Sequence, residues 1–210
     1  MKVLLVNGSP KANGCTFTAL SEMSRIFKSE QIETEIFQLG KKPIAGCVDC
    51  GICGTKKQCV FDDVVNVFLD KAKDADAFVF GSPVHYAGAS GALTSFLDRV
   101  FCADGSAGTK LFYLKPGAAV LSARRAGTVS AFDQINKYFT ISQMPVISSS
   151  YWNMVHGTTP EEVLNDLEGL QIMRNLARNM SWFLKIKEAG EQAGVQKPLV
   201  EERLRTNFIR

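Results

Sequence analysis

Val3-Leu4-Leu5-Val6-Asn7-Gly8-Ser9-Pro10-Lys11-Ala12-Asn13-Gly14-Cys15-Thr16 sets an unbroken apolar run against a loop of small and polar residues. The loop leads straight into a helical pattern, in which Phe17, Leu20, Met23 and Phe27 recur on one face over 16–28. An apolar run without alternation reads as a strand buried on both faces, here residues 2–7. A buried strand, a tight loop and a helix start together make an anion cradle. The first N–H groups of a helix have no partner within it, and the helix end carries a partial positive charge. Ser9, Asn13 and Thr16 add small donors around that point. The loop has no Gly-Lys-Ser/Thr ending, and Gly8 and Gly14 are too far apart for a G-x-G-x-x-G fingerprint, so neither a P-loop nor a dinucleotide loop is present. What remains is a mononucleotide phosphate site or an ordinary capped turn.

The rest of the chain repeats the strand-helix alternation. Strands are expected at 33–39, at Ala77-Phe78-Val79-Phe80, at Ala118-Ala119-Val120-Leu121 and from Pro145-Val146-Ile147. Helical faces fall at 62–73, capped by Asp62 or Asp63, at Leu93, Phe96, Leu97, Val100 and Phe101, and at Val129, Phe132, Ile135 and Phe139. Thr159-Pro160-Glu161-Glu162 joins an N-cap Thr, a Pro at the first helical position and a Glu at the third, opening one last helix that keeps its period to about residue 187. Five β-α units without hairpin signals imply a doubly wound α/β fold, a five-stranded parallel sheet with helices on both faces. Residues 1–189 read as one domain, and 190–210, polar with Pro198, as an extended tail.

Composition narrows the function classes. Among 210 residues, 46% are hydrophobic and 21% charged, which matches an ordinary globular domain. A net charge of +3 with interspersed signs gives no nucleic-acid footprint. No apolar run is long enough to span a membrane, and the N-terminus enters a strand without a signal-peptide pattern, so a cytoplasmic location is expected. His85 and His156 are the only histidines, and no Ser-His-Asp ordering supports hydrolysis.

In a doubly wound sheet, ligands sit beyond the C-terminal strand ends. Two further loops there carry chemistry. Gly81-Ser82-Pro83-Val84-His85-Tyr86-Ala87-Gly88 lets backbone approach a flat ring, and Ser122-Ala123-Arg124-Arg125-Ala126-Gly127 could hold an anion or stack on a ring. Tyr151-Trp152 reads as a lid, a subunit contact or core.

With these blocks in view, the chain resembles the NADPH-dependent FMN reductase family, flavodoxin-like flavoproteins that include iron–sulfur flavoproteins. The resemblance rests on GSPKANGCT at 8–16, CVDCGICGTKKQCVFDD at 47–63, ADAFVFGSPVHYAGASGALTSFLDR at 75–99 and SARRAG at 122–127. It implies strand order 2-1-3-4-5 and a noncovalent FMN reduced by NAD(P)H and re-oxidised by an acceptor. By motif position, Ser9, Lys11, Asn13, Cys15 and Thr16 would bind the phosphate. Pro83, Val84, His85 and Tyr86 would line the ring, with Ser122, Arg124 and Gly127 opposite. Lys11 stands where the family often has Arg, and Cys15 where it often has Asn. No side chain is assigned as a catalytic acid or base. The resemblance also implies a homo-oligomer, a dimer or tetramer.

Cys47-x2-Cys50-x2-Cys53-x5-Cys59 is the second strong signal. The compact run is the spacing that wraps three corners of a [4Fe–4S] cube, and a fourth Cys completes it. Zinc accepts four thiolates too, although its structural sites usually pair two separated knuckles. Free thiols in a reducing compartment are the third reading. Cys102 is read as a small buried residue at a helix end. Cys15 is expected to be acidified by the helix N-terminus. The expected partners are a small-molecule electron acceptor or a redox protein. Besides the NAD(P)H oxidoreductase, an electron carrier and a flavin-binding module without turnover are the competing classes.

Overall fold

The computed structural model describes residues 1–202, 204 and 206–208. Its parallel strands are β1 (Lys2–Asn7), β2 (Glu33–Gln38), β3 (Ala77–His85), β5 (Gly117–Ala123) and β6 (Met154–His156), with β4 (Gly88–Ala89) a short addition. The helices are α1 (Cys15–Ser29), α2 (Cys53–Lys56), α3 (Val64–Ala72), α4 (Gly91–Ala107), α5 (Thr128–Ile141), α6 (Pro160–Asn165) and α7 (Leu167–Gln192). The strands lie in the order β2-β1-β3-β5-β6, all parallel, so β1 sits between β2 and β3. Counting only the five parallel strands, this is the flavodoxin order.

Both faces of the sheet are covered, and the side chains of β1 alternate between them. Val3 and Leu5 pack with α1 and α7, against Leu20, Met23, Met173 and Leu176. Leu4 and Val6 face the other way, into a cluster with α3, α4 and α5. That second layer is built largely from phenylalanine. Phe68 lies edge-on to Phe96 and Phe37, with centroids 5.0 and 5.4 Å away. Asp63 caps α3 by accepting from the Val65 N–H at 3.0 Å. Each β1 residue from Val3 to Val6 is fully buried, which is why the strand shows no polar alternation.

Gly8 brings the first loop tightly against the sheet. Its N–H donates to the Gly81 carbonyl at 2.8 Å, and a Cβ there would lie 2.7 Å from that oxygen and 3.0 Å from Leu93 Cβ. Backbone cannot yield as a side-chain tip can. Gly8→Ala is therefore expected to lower stability by roughly 1–3 kcal/mol, read from urea unfolding of the apo-protein.

Four local expectations are corrected. The segment at Pro145-Val146-Ile147 makes only an isolated bridge between Val146 and Gly117, and the fifth parallel strand is β6, further along. The last helix is two helices: Asp166 leaves the helical conformation after α6, and its side chain accepts from the Gly169 N–H to cap α7. A hairpin is present as well, since Val84 and His85 pair antiparallel with β4 across a turn in which Tyr86 takes φ +54°. The tail expected from 190 starts later, because α7 reaches Gln192. Residues 193–202, 204 and 206–208 add no helix or strand, and positions 203, 205, 209 and 210 of that stretch lie outside the described residues.

Candidate functional site

The loops after β1, β3, β5 and β6 converge on one cleft of about 200 Å³. From the first come Ser9, Pro10, Lys11, Cys15 and Thr16. Pro83, Val84 and His85 form a second wall, and Ser122, Ala123 and Arg124 a third. Gly157 and Thr158, after β6, close the fourth side.

The first loop is braced from below by a side chain that periodicity does not flag. Asn7 is fully buried; its Oδ1 accepts from the Ser9 N–H at 3.1 Å and its Nδ2 donates to the Lys11 carbonyl at 3.3 Å. Gln38, at the end of β2, donates to the Ser9 carbonyl at 2.7 Å. Ser90, the N-cap of α4, donates to the Gly8 carbonyl at 2.9 Å. Thr16 and Ser122 share a buried hydroxyl–hydroxyl bond of 2.8 Å that ties the first loop to the third. The loop is thus shaped before any ligand arrives.

At its end, α1 begins without a cap. Gly14 occupies the N-cap position, no side chain accepts from the first turn, and that turn holds no acidic residue. An uncapped helix start without an acid is built to receive an anion. The phosphate of FMN fits this donor set. In the third loop, Gly127 takes φ +91°, and a Cβ there would come 2.9 Å from Val84 Cγ1, so the residue lets the second and third walls close on each other.

The expected residues do not all reach the cleft. Asn13 is exposed on the loop and Tyr86 is fully exposed on its hairpin; neither lines the cleft. Gly127 shapes the wall through Val84 rather than lining it. Pro10 and Ala123, within the expected loops, line it too, as do Gly157 and Thr158, which lie outside them because they follow β6, a strand the sequence pattern does not mark. The expected acidity of Cys15 is also corrected. Burial of the thiol pushes its pKa up, outweighing the backbone N–H and Lys11, and its Sγ lies 3.5 Å from the Gly157 carbonyl.

A second, smaller pocket gathers the cysteine motif. Cys47, Cys50, Cys53 and Cys59 all line it, together with Arg99 and Cys102. Cys102 lies within α4, not at its end, and its Sγ is 3.9 Å from that of Cys47. Among the described residues, no three His, Cys, Asp or Glu side chains are arranged to hold a single metal ion. All four motif thiols nevertheless border that one pocket. The Cys59 end of the loop is firmly held: Asn66 accepts from the Cys59 N–H at 2.8 Å and donates to the Cys59 and Phe61 carbonyls, each at 3.0 Å.

The family model described as NADPH-dependent FMN reductase matches residues 1–159. The chain belongs to that family. It is 32% identical over 192 residues to an iron–sulfur flavoprotein of Methanocaldococcus jannaschii, covering 89% of this chain and 98% of that one. It is also 32% identical over 105 residues to an FMN-dependent NADPH-azoreductase of Staphylococcus saprophyticus, covering 50% of this chain and 54% of the relative. Among solved structures, RosB with a bound 8-demethyl-8-formylriboflavin-5'-phosphate superposes with a TM-score of 0.68 at 17% identity, over 100% of this chain and 92% of that chain. The family member is an FMN-dependent NAD(P)H oxidoreductase with a flavodoxin-like fold. No helix among the described residues is long and apolar enough to cross a membrane.

Proposed function

We propose that the cleft above β1, β3 and β5 holds FMN, with its phosphate on the N-terminus of α1. The observation that carries this is the uncapped, acid-free first turn of α1 opening into that cleft. Ser9, Lys11, Cys15 and Thr16 surround the phosphate end. Asn13 stands off the cleft wall, so its side chain is left out of this phosphate set. Pro83, Val84 and His85 form one side of the ring site and Ser122 and Arg124 the other, while Gly127 keeps the two walls close. Bound FMN would supply the hydride and electron-transfer chemistry between NAD(P)H and an acceptor. The chain's contribution is to anchor, orient and shield that group. The chain through the end of α7 at Gln192 serves as one FMN-binding unit, with the remainder as an appendage.

Titrating apo-protein with FMN tests the reading: a flavin absorbance shift and thermal stabilisation are expected. NAD(P)H oxidation with a quinone, compared with reduction of ferredoxin, then separates a small-molecule reductase from an electron carrier. A flavin-binding module would turn over neither.

The carrier reading has its own support, in the four motif thiols around one pocket. We propose that Cys47, Cys50, Cys53 and Cys59 ligate a [4Fe–4S] cluster, which would make one-electron exchange with a redox protein natural. Anaerobically purified protein should then carry about four iron per chain. Iron near zero after anaerobic reconstitution would end this reading.

A homo-oligomer is the expected state. Tyr151 and Trp152 pack against each other with centroids 5.1 Å apart yet stay half exposed, which suits a subunit contact. Light scattering at micromolar concentration should report a dimer or tetramer. A monomer that still binds FMN would refute the assembly alone.

A further inference from the structure

Arg99 is the largest fully buried side chain among the described residues, at 1% exposure on α4. Its guanidinium grips a single sulfur with two donors. Nε and Nη2 lie 3.2 and 3.1 Å from Cys59 Sγ. The remaining donors are already spoken for: Nη1 and Nη2 hold the two Asp63 oxygens at 2.7 and 2.9 Å, and Nη1 also reaches the Ala45 carbonyl at 3.4 Å. Phe61 closes one face, its ring centroid 4.8 Å from the guanidinium carbon.

Among the described residues, Asp63 is the one carboxylate paired with the arginine. A neutral thiol is a weak acceptor and gives little reason to aim two charged donors at it. An anionic sulfur does, because charge-assisted bonds are about twice as strong as neutral ones. The other motif cysteines lack such an arrangement. Among the described residues, neither Cys50 nor Cys53 Sγ has a hydrogen-bond partner, and Cys47 Sγ meets only Cys102, at 3.9 Å. Together, the Asn66 bonds to the Cys59 backbone and the Arg99 bonds to its sulfur fix one corner of the motif, while three corners stay open to the pocket.

Resting on the cluster reading above, we propose that Arg99 is a positioning residue that presents Cys59 as the pre-set ligand corner and raises the cluster's reduction potential. Donors to a ligand sulfur withdraw electron density and favour the more negative, reduced state. The guanidinium fork matters, because one ammonium cannot serve both Asp63 and Cys59 in the same geometry.

The test uses the full chain, reconstituted anaerobically with iron and sulfide, as wild type, Arg99→Lys and Arg99→Gln. FMN absorbance and thermal unfolding check that each variant is folded, since the flavin cleft does not include Arg99. Iron content, the electron paramagnetic resonance spectrum of the reduced cluster and a dye-mediated redox titration then report on the cluster itself. In Arg99→Gln the reduced-to-oxidised ratio at a fixed poise should fall at least about tenfold, a shift of about 59 mV for one electron, with an altered spectrum. Arg99→Lys should fall between the two. A folded Arg99→Gln with wild-type iron, spectrum and potential overturns the role of Arg99. Should that variant not fold, an unchanged potential and spectrum in Arg99→Lys overturns it equally. Wild type that takes up no iron overturns the cluster reading and this inference with it, and is told apart by the wild-type assay alone.

Discussion

Gly14→Asp is expected to remove most FMN binding while leaving the apo-protein folded. Gly14 is the N-cap of α1, in extended conformation at φ −93° and ψ −171°, which an aspartate adopts without strain. The new carboxylate would accept from the first-turn N–H groups that now have no side-chain partner. That is a favourable cap, and apo stability should stay within about 1 kcal/mol of wild type. A Cβ at this position meets Lys11 Cβ at 3.0 Å, and since that atom moves only with its backbone, the loop must give by a few tenths of an ångström. The same carboxylate would occupy the place of the phosphate and repel it. Losing two charge-assisted bonds, at about 1.5–3 kcal/mol each, amounts to roughly 100-fold or more in Kd. Gly14→Asn controls for space, since it caps without the charge. It should bind FMN at least about tenfold more tightly than the aspartate variant, the share of one such bond. Fluorescence titration of FMN against each apo-protein decides the matter. Equal affinity in all three proteins would move the phosphate away from α1.

The parts of the molecule that are legible from sequence share one property: their pattern is set by burial over several turns or residues. β1, β3 and β5 are buried on both faces and appear as plain apolar runs. Helices α1, α3, α4 and α5 each bury one stripe and show it at helical spacing. Edge features were harder. β6 has only three residues, too few for a period, whereas Pro145-Val146-Ile147 looks like a strand but pairs at a single bridge. The break at Asp166 leaves no trace in the hydrophobic period, because Val163 before it and Leu170 after it enter the same core. The hairpin turn puts Tyr86 in the left-handed region, where Gly or Asn would have signalled it. In the site, the loops were visible because Gly, Pro, Ser and Thr cluster at strand ends. The supports beneath them were not. Asn7 reads as the polar end of a strand, and Arg99 as a charge beside Asp98 on a helix. Their partners stand 31 and 36 positions away, at Gln38 and Asp63, and such pairings have no local signature.

Asp63→Asn should be the most damaging conservative change outside the hydrophobic core, and more so than Arg99→Met. The ion pair is lopsided: the Arg99 side chain is 1% exposed and that of Asp63 is 32% exposed. Removing the carboxylate strands a buried guanidinium, at a cost of about 3 kcal/mol, or roughly 6–12 °C in Tm for a chain of this size. Removing the arginine leaves an aspartate that can still turn to water and still cap α3 through Val65, so methionine there should cost less. The reverse ranking in urea unfolding would mean that Arg99 finds other compensation. Acid provides an independent check. Burial opposes ionisation of Asp63, yet Arg99 and the Val65 N–H together hold its carboxyl below the usual aspartate value. A depressed folded-state pKa stabilises the protein above the unfolded value, about 3.9, and that stability is lost as pH falls through the lower folded value. Wild type should therefore lose this contribution progressively below about pH 4. Asp63→Asn has no carboxyl to protonate at this position. Its stability should start lower and fall less steeply over that range, so the two curves should approach each other toward low pH.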